Sequence, residues 1–396
     1  MKKILLVAYC VSLSFLLAAC ANLPALIATP VTSTPIATEI TELPPTEGAE
    51  KNPAENNSPK ILRVWLPPQF NPAAETEAGA LLRARLASFQ KRRPDITLEI
   101  RIKAESGEAS LLNSLIVTQK AAPSNMPDLV ALRRPNLESA VQAGILYPID
   151  GLTDVLDAPD WFPYARSLAH IQNSAYGLPF AANLLGLSYK PSEDFPLPSF
   201  EELEITFPAN SPKAELSFCF YDEENIEEES LTDLFSLYQS DTFSPKSAEY
   251  QNTNEILESP AVIWSSDFLD DVPADAIFSI VPNPNGDACS LADAWLWTLA
   301  GGDPEIQLAA IELAEYLSQS DFLSAWTASL NLLPPRPTAL DESETLLHEL
   351  SLIAQPIPSN ETVEILGEMF RLATMSVIQD QADPRSTAQE MLEKLQ

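Results

Sequence analysis

The chain has 396 residues, more than one hydrophobic core usually serves, so two globular bodies are expected. Its 23 Lys and Arg stand against 56 Asp and Glu, a formal charge of −33 at pH 7 that repels phosphate backbones and argues against nucleic acid as a partner. With 2 His and 11 Gly beside 35 Pro, the chain also holds few of the residues from which active sites are usually assembled.

Met1-Lys2-Lys3 leads an apolar run from Ile4 to Leu17 that ends in Ala18-Ala19-Cys20. A basic start, a short apolar stretch and small residues form a secretion signal, too short to persist as a spanning helix. Leu17-Ala18-Ala19-Cys20 resembles the bacterial lipobox, which implies a signal over 1–19 and a lipidated Cys20. Two or three acyl chains, at roughly 0.8 kcal/mol per buried CH₂, hold a protein at a membrane surface. Residues 20–60 turn to Pro, Thr, Ala and Glu, too poor in apolar surface to offset their ordering entropy. They predict a disordered tether with a reach on the order of 100 Å. Cys10 leaves with the signal, and for Cys219 and Cys289 the spacing leaves both a disulfide and two buried thiols open.

Ile61–Leu66 is an apolar run closed by Pro67-Pro68, and it predicts a first strand. Ala78, Leu82, Leu86 and Phe89 recur at helical spacing until Pro94, and Ile96, Leu98, Ile100 and Ile102 alternate as a second strand. Leu111, Leu112, Leu115 and Ile116 give another helical face, Asp128–Leu132 a third strand and Asn136–Ala143 a short helix. Strands alternating with helices form a parallel sheet with right-handed crossovers, and ligands bind past the carboxyl ends of such strands. With strand one between strands two and three, the binding edge runs over Leu66–Phe70 and Leu132–Asn136. Tyr176–Lys190 reads as a turn feeding a buried extended segment, a natural crossover between two lobes.

From Pro191 to Pro260 the chain is acidic, and the run from Tyr221 to Ser230 reads as a solvated face, since a Ca²⁺ loop needs alternating oxygen ligands and a turn glycine. Ala261–Trp264, Ala276–Val281 and Trp295–Leu299 are further strands. Ile306, Ala310, Leu313 and Leu317 mark a helix opened by Asp303-Pro304. Near the end, Ile365, Met369 and Leu372 share a helical face, and Asp383-Pro384 opens a last helix.

Trp65 at a strand end, Arg93-Pro94-Asp95-Ile96, Met126-Pro127-Asp128-Leu129, Ala143–Asp150 and Tyr176-Gly177-Leu178-Pro179 occur in an order and spacing that resemble the bacterial extracellular solute-binding proteins of family 1, the maltose-binding-protein-like group. The resemblance covers most of Ile61 to Gln396. It implies an α/β, two-lobed periplasmic-binding-protein-like (type II) fold with hinge crossovers, the first lobe from 61–186 and 285–338, the second from 187–284 and 339–396. It further implies a monomeric, membrane-anchored lipoprotein outside the cytoplasm. Such a protein captures a sugar or similar small polar solute between its lobes and delivers it to the permease subunits of an ABC importer. A short second lobe leaves open a degenerate receptor that acts as a sensor or structural surface protein.

Sugar rings stack apolar faces on aromatics and hydrogen-bond planar polar groups. The candidates are Trp65, Gln69 and Phe70 from the first strand end, Arg133 and Asn136 from the third, Asn183 from the crossover, and Trp264, Trp295 and Arg336 from the second half. Each Trp could equally be core, and each Arg an ion-pair partner. Trp161 and Trp326 are assigned to packing. Neither a Walker pattern nor G-x-G-x-x-G occurs, Gly186–Lys190 lacks the closing glycine of a nucleophile elbow, and His170 and His348 stand in unrelated contexts. No catalysis, cofactor or metal is expected.

Overall fold

The structure is a computed structural model that describes residues 59–191, 228–239, 261–270, 275–282, 288–341 and 343–395. The expected signal, the lipidated Cys20, the tether and Cys219 lie outside these residues. Among the described residues no helix is long and apolar enough to cross a membrane.

The first strands follow their sequence pattern. β1 (Lys60–Leu66) lies between β2 (Ile96–Ile102) and β3 (Leu129–Arg133), all three parallel, as expected. α1 (Glu77–Arg92) is capped by Thr76, whose hydroxyl accepts the Gly79 N–H, and buries Leu82, Leu86 and Phe89. α2 (Leu111–Ala121) is capped by Ser110 in the same way, through the Asn113 N–H. α3 (Arg134–Gln142) starts ahead of the expected Asn136, because Pro135 suits the first turn, where an N–H is not needed.

Next come α4 (Pro163–Ala169), the hairpin of β4 (His170–Ile171) with β5 (Ser174–Ala175), and β6 (Gly177–Tyr189). α5 (Glu228–Gln239) carries the end of the acidic run, Glu228 and Glu229, in its first turn, where the helix dipole favours negative charge. β7 (Ala261–Trp264) leads directly into α6 (Ser265–Asp270), followed by β8 (Ile277–Ser279) and a ladder of β9 (Val281–Pro282) with β10 (Ala288–Cys289). Cys289 is disulfide-bonded, and the other three cysteines of the chain all lie outside the described residues. β11 (Leu291–Leu299) precedes α7 (Pro304–Leu317), α8 (Ser320–Ala328) and α9 (Thr345–Ile353), and β12 (Gln355–Pro356) precedes α10 (Asn360–Gln379) and α11 (Pro384–Leu395).

The main sheet has eight strands in the order β2-β1-β3-β11-β6-β7, with β12 on β11 and β8 on β6. The crossover expected at Tyr176–Lys190 is β6 itself. Its first half pairs with β11, from Gly177 opposite Thr298 to Leu184 opposite Ala292. Its second half pairs with β7 and β8, beginning at Leu185 opposite Trp264. The buried side chains divide at the same place: Leu178 to Leu184 join the larger apolar cluster with β1 and β3, while Leu185, Leu187 and Tyr189 join a smaller one with Phe235, Leu366 and Phe370. β11 makes the same passage between Leu291 and Ala292, and Ile357, just past β12, packs on both clusters. Two apolar cores bridged by crossing strands make this the expected two-lobed α/β fold with hinge crossovers.

Two details sharpen the sequence reading. A Cβ on Gly186 would stand 2.5 Å from the Phe278 ring and 2.8 Å from the Ser279 carbonyl oxygen, so only glycine lets β8 pack this close to the crossing. On α10 the core takes Leu366, Phe370, Ala373 and Val377, while the expected Ile365 and Leu372 are 55% and 53% exposed. The helix has two adjacent apolar stripes, and the one that holds Phe370 buries the larger ring while Ala373 admits close neighbours.

Candidate functional site

A cleft of about 350 Å³ opens where β6 and β11 pass from one cluster to the other. Its floor follows from register. Asn183 of β6 lies opposite Asp293 of β11, and two residues along, Trp295 lies opposite Arg133 of β3. Side chains two apart on a strand share a face, so these four project together. Gln69, from the turn after β1, and Glu105, from the loop after β2, close one side. Ser266 at the start of α6 and Leu330 and Leu332 beyond α8 line the cleft as well.

The polar groups form two connected sets. Arg133 donates from Nε to Asp293 Oδ2 at 2.7 Å, and its Nη2 donates to the same oxygen. The Ala294 N–H donates to Asp293 Oδ1 at 2.8 Å, so a carboxylate only 2% exposed has both oxygens bonded. Arg133 Nη1 also lies 4.0 Å from Glu105, whose other oxygen accepts from Gln69 Nε2 at 3.3 Å. In the second set, Asn183 Oδ1 accepts from the Ser265 hydroxyl at 2.8 Å and the Ser266 N–H at 2.9 Å, while its Nδ2 donates to Ser266 Oγ at 2.8 Å. The Leu184 N–H donates to Ser265 Oγ at 3.0 Å, so the crossing strand is fastened to the start of α6.

Of the nine expected site residues, Gln69, Arg133, Asn183 and Trp295 line this cleft, and the other five do not. Phe70 is 1% exposed and forms the support beneath: its ring lies 5.1 Å from Trp295 and 5.1 Å from Phe180, both edge to face. Trp65 is likewise 1% exposed, with Lys103 Nζ 4.5 Å from its ring centre. Asn136 is half-buried on α3, and Trp264 packs against the smaller cluster. Arg336 is buried, bonds Asp160 at 3.3 Å and lies 3.9 Å over the Trp161 ring, so it is a packing and ion-pair residue. Burial alone would raise Asp160, but donation from the Thr338 hydroxyl and N–H, Ser320 and Arg336 holds its carboxyl below the usual range. Trp161 and Trp326 are buried, as assigned.

Sequence reasoning missed Glu105, Ser266 and Asp293. The same rule that pointed to the carboxyl ends of β1 and β3 applies to Glu105, just beyond the end of β2. Asp293 had a signal too, an acid inside the otherwise apolar run Leu291–Leu299, but the expected strand began only at Trp295.

A second cavity, of about 310 Å³, lies at the other end of β3, lined by Arg63, Met126, Asp128, Tyr147 and Asp303 among others. Burial pushes the Asp128 carboxyl up, although its Oδ2 accepts the Arg63 N–H at 2.8 Å. Its position at the amino ends of the strands is the wrong end for a ligand in a sheet of this kind.

No family model and no curated protein matches the sequence. Solved structures do match in shape. The sugar-binding protein MalE from Xanthomonas citri superposes with a TM-score of 0.66 at 17% identity, covering 85% of this chain and 96% of that one. A cyclo/maltodextrin-binding protein complexed with maltotetraose gives 0.66 at 16% identity over 86% of this chain and 98% of its own. The GacH receptor of Streptomyces glaucescens, solved with acarbose, gives 0.60 at 16% over 85% and 98%. The chain has the fold of these solute-binding proteins. At such identities the likeness establishes the fold alone.

Proposed function

We propose that this chain is an extracytoplasmic receptor, anchored through a lipid on Cys20, that traps a sugar or similar small polar solute between two lobes and presents it to an ABC permease, without catalysis. Cleavage after the signal over 1–19 would leave 20–60 as the tether. The lobes would be 61–186 with 285–338 and 187–284 with 339–396; within the last range, α9 packs Leu347 and Leu350 on the larger cluster.

The observation that carries this reading is the cleft at the strand crossings. Its lining includes Trp295, 8% exposed and backed by Phe70, and its planar polar group, Asn183, is held in a fixed orientation by the Ser265 and Ser266 hydroxyls. An aromatic ring and an oriented amide suit the apolar face and the hydroxyls of a sugar. A volume of about 350 Å³ falls at the lower end of ordinary ligand pockets, about 300–1,000 Å³. Ser266 comes from the proposed second lobe and the other lining residues from the first, so a ligand bound there touches both sides of the hinge and favours the closed state by its extra contacts. A receptor-like surface protein without a ligand would fill this space with its own side chains, and the open volume favours the receptor.

The test is thermal unfolding across a broad panel of neutral, cationic and anionic small solutes. A true ligand at a hundred times its Kd adds about 2.7 kcal/mol and raises the midpoint, and the shift disappears in Trp295→Ala. A panel without any shift at millimolar concentration refutes the proposal.

A further inference from the structure

We infer that the cleft selects by charge, taking a polyhydroxylated solute that carries an ammonium group, such as an amino sugar, in preference to its neutral counterpart and rejecting the corresponding acid. The inference rests on the receptor reading above and concerns the same site.

Three charged side chains line the cleft among the described residues, Glu105, Arg133 and Asp293. Two carboxylates therefore face one guanidinium. Arg133 is committed to Asp293, which is nearly enclosed by protein and answers the guanidinium charge directly. Glu105 lies further away, 4.0 Å from Arg133, with 45% of its side chain exposed, so its negative charge is the one presented to the cleft. An arriving acid would have to compete with Asp293 for Arg133 and approach Glu105 at close range. A protein charge of −33 opposes it further.

The hydrogen-bond inventory points the same way. Asn183 Oδ1 is filled by Ser265 and Ser266, and its Nδ2 donates to Ser266 Oγ, so its amide oxygen is already spent within the protein. Glu105 accepts one bond from Gln69, and a carboxylate has about four acceptor positions. The acceptor positions left for a ligand are concentrated on Glu105, which suits a ligand that brings donors, above all an ammonium.

The experiment measures affinities by calorimetry for matched triads of neutral hexose, 2-amino hexose and uronic acid, in the gluco, galacto and manno series. In any series that binds, the amino form is expected to bind about fivefold tighter than the neutral one, as for a half-exposed charge pair, with the acid weakest. Raising salt from low levels to ~0.3 M narrows the ratio, since the pair is partly solvated. In Glu105→Gln the amino-to-neutral ratio falls toward one. Equal binding of amino and neutral forms, tighter binding of the acid, or a ratio unchanged in Glu105→Gln overturns the charge selection while leaving the receptor reading in place. Failure of every series to bind, together with an inert panel in the thermal assay, overturns both.

Discussion

Replacing Arg133 by Met keeps the aliphatic bulk between β3 and β11 and removes the guanidinium. What remains is Asp293, with 3% of its side chain exposed and the Ala294 N–H as its donor. Breaking a buried pair from one side costs about 3–5 kcal/mol because a charge is stranded. Here 40% of the Arg133 side chain is exposed, so water from the cleft softens the loss to roughly 2–3 kcal/mol. Asp293→Leu strands the more exposed partner, which still has Glu105 at 4.0 Å, and costs about 1 kcal/mol. The double variant removes both charges and stays within about 1 kcal/mol of the starting protein, which makes the two changes coupled by at least about 2 kcal/mol. Urea unfolding of the four proteins, read by circular dichroism, completes the cycle. Additive losses, or a larger loss for Asp293→Leu than for Arg133→Met, would refute the reasoning.

Other consequences can be checked on the same material. Burial raises the Asp128 carboxyl, so the folded protein keeps that proton to a higher pH than the unfolded chain does; this contribution to stability therefore falls as pH rises through the range just above the ordinary carboxylate value of about 4, and levels off beyond. Asp128→Asn can still accept the Arg63 N–H and lacks that slope, so the gap between the two stability profiles opens with rising pH, and a constant gap contradicts it. Gly186→Ala drives a methyl into Phe278 and the Ser279 carbonyl and costs about 1–3 kcal/mol, with loss of any ligand-induced thermal shift as the crossing is disturbed; unaltered unfolding would speak against close packing there. Reduction of the Cys289 disulfide lowers stability by about 2–5 kcal/mol, and Cys289→Ser shows the same loss with no further response to reductant.

The sequence was most legible where local pattern and tertiary role agree. The alternation of Ile96–Ile102, the capped helices at Thr76 and Ser110 and the apolar length of β6 each specify their element without help from distant residues. The rule that ligands sit past strand ends then led to Gln69 and Arg133, and the crossover led to Asn183. It failed for Trp65 because the carboxyl end of β1 is covered on both faces, so a place near the end of a strand does not aim a side chain outward. Arg336 bonds Asp160, 176 positions away, a partner that no local pattern reports. Asp293 is the opposite case, a buried acid whose charge is answered by a partner from another strand. On α10 the pattern permitted two faces, and only the rings packed against it decided between them.

The most direct test of the whole account is a crystal structure grown with the tightest solute from the panels. The account predicts density for that solute against the Trp295 ring, within hydrogen-bond reach of Asn183 and Glu105, with the two sides of the hinge drawn together. Density at another surface, or a bound solute that leaves the Asn183 and Trp295 side chains untouched, would contradict it.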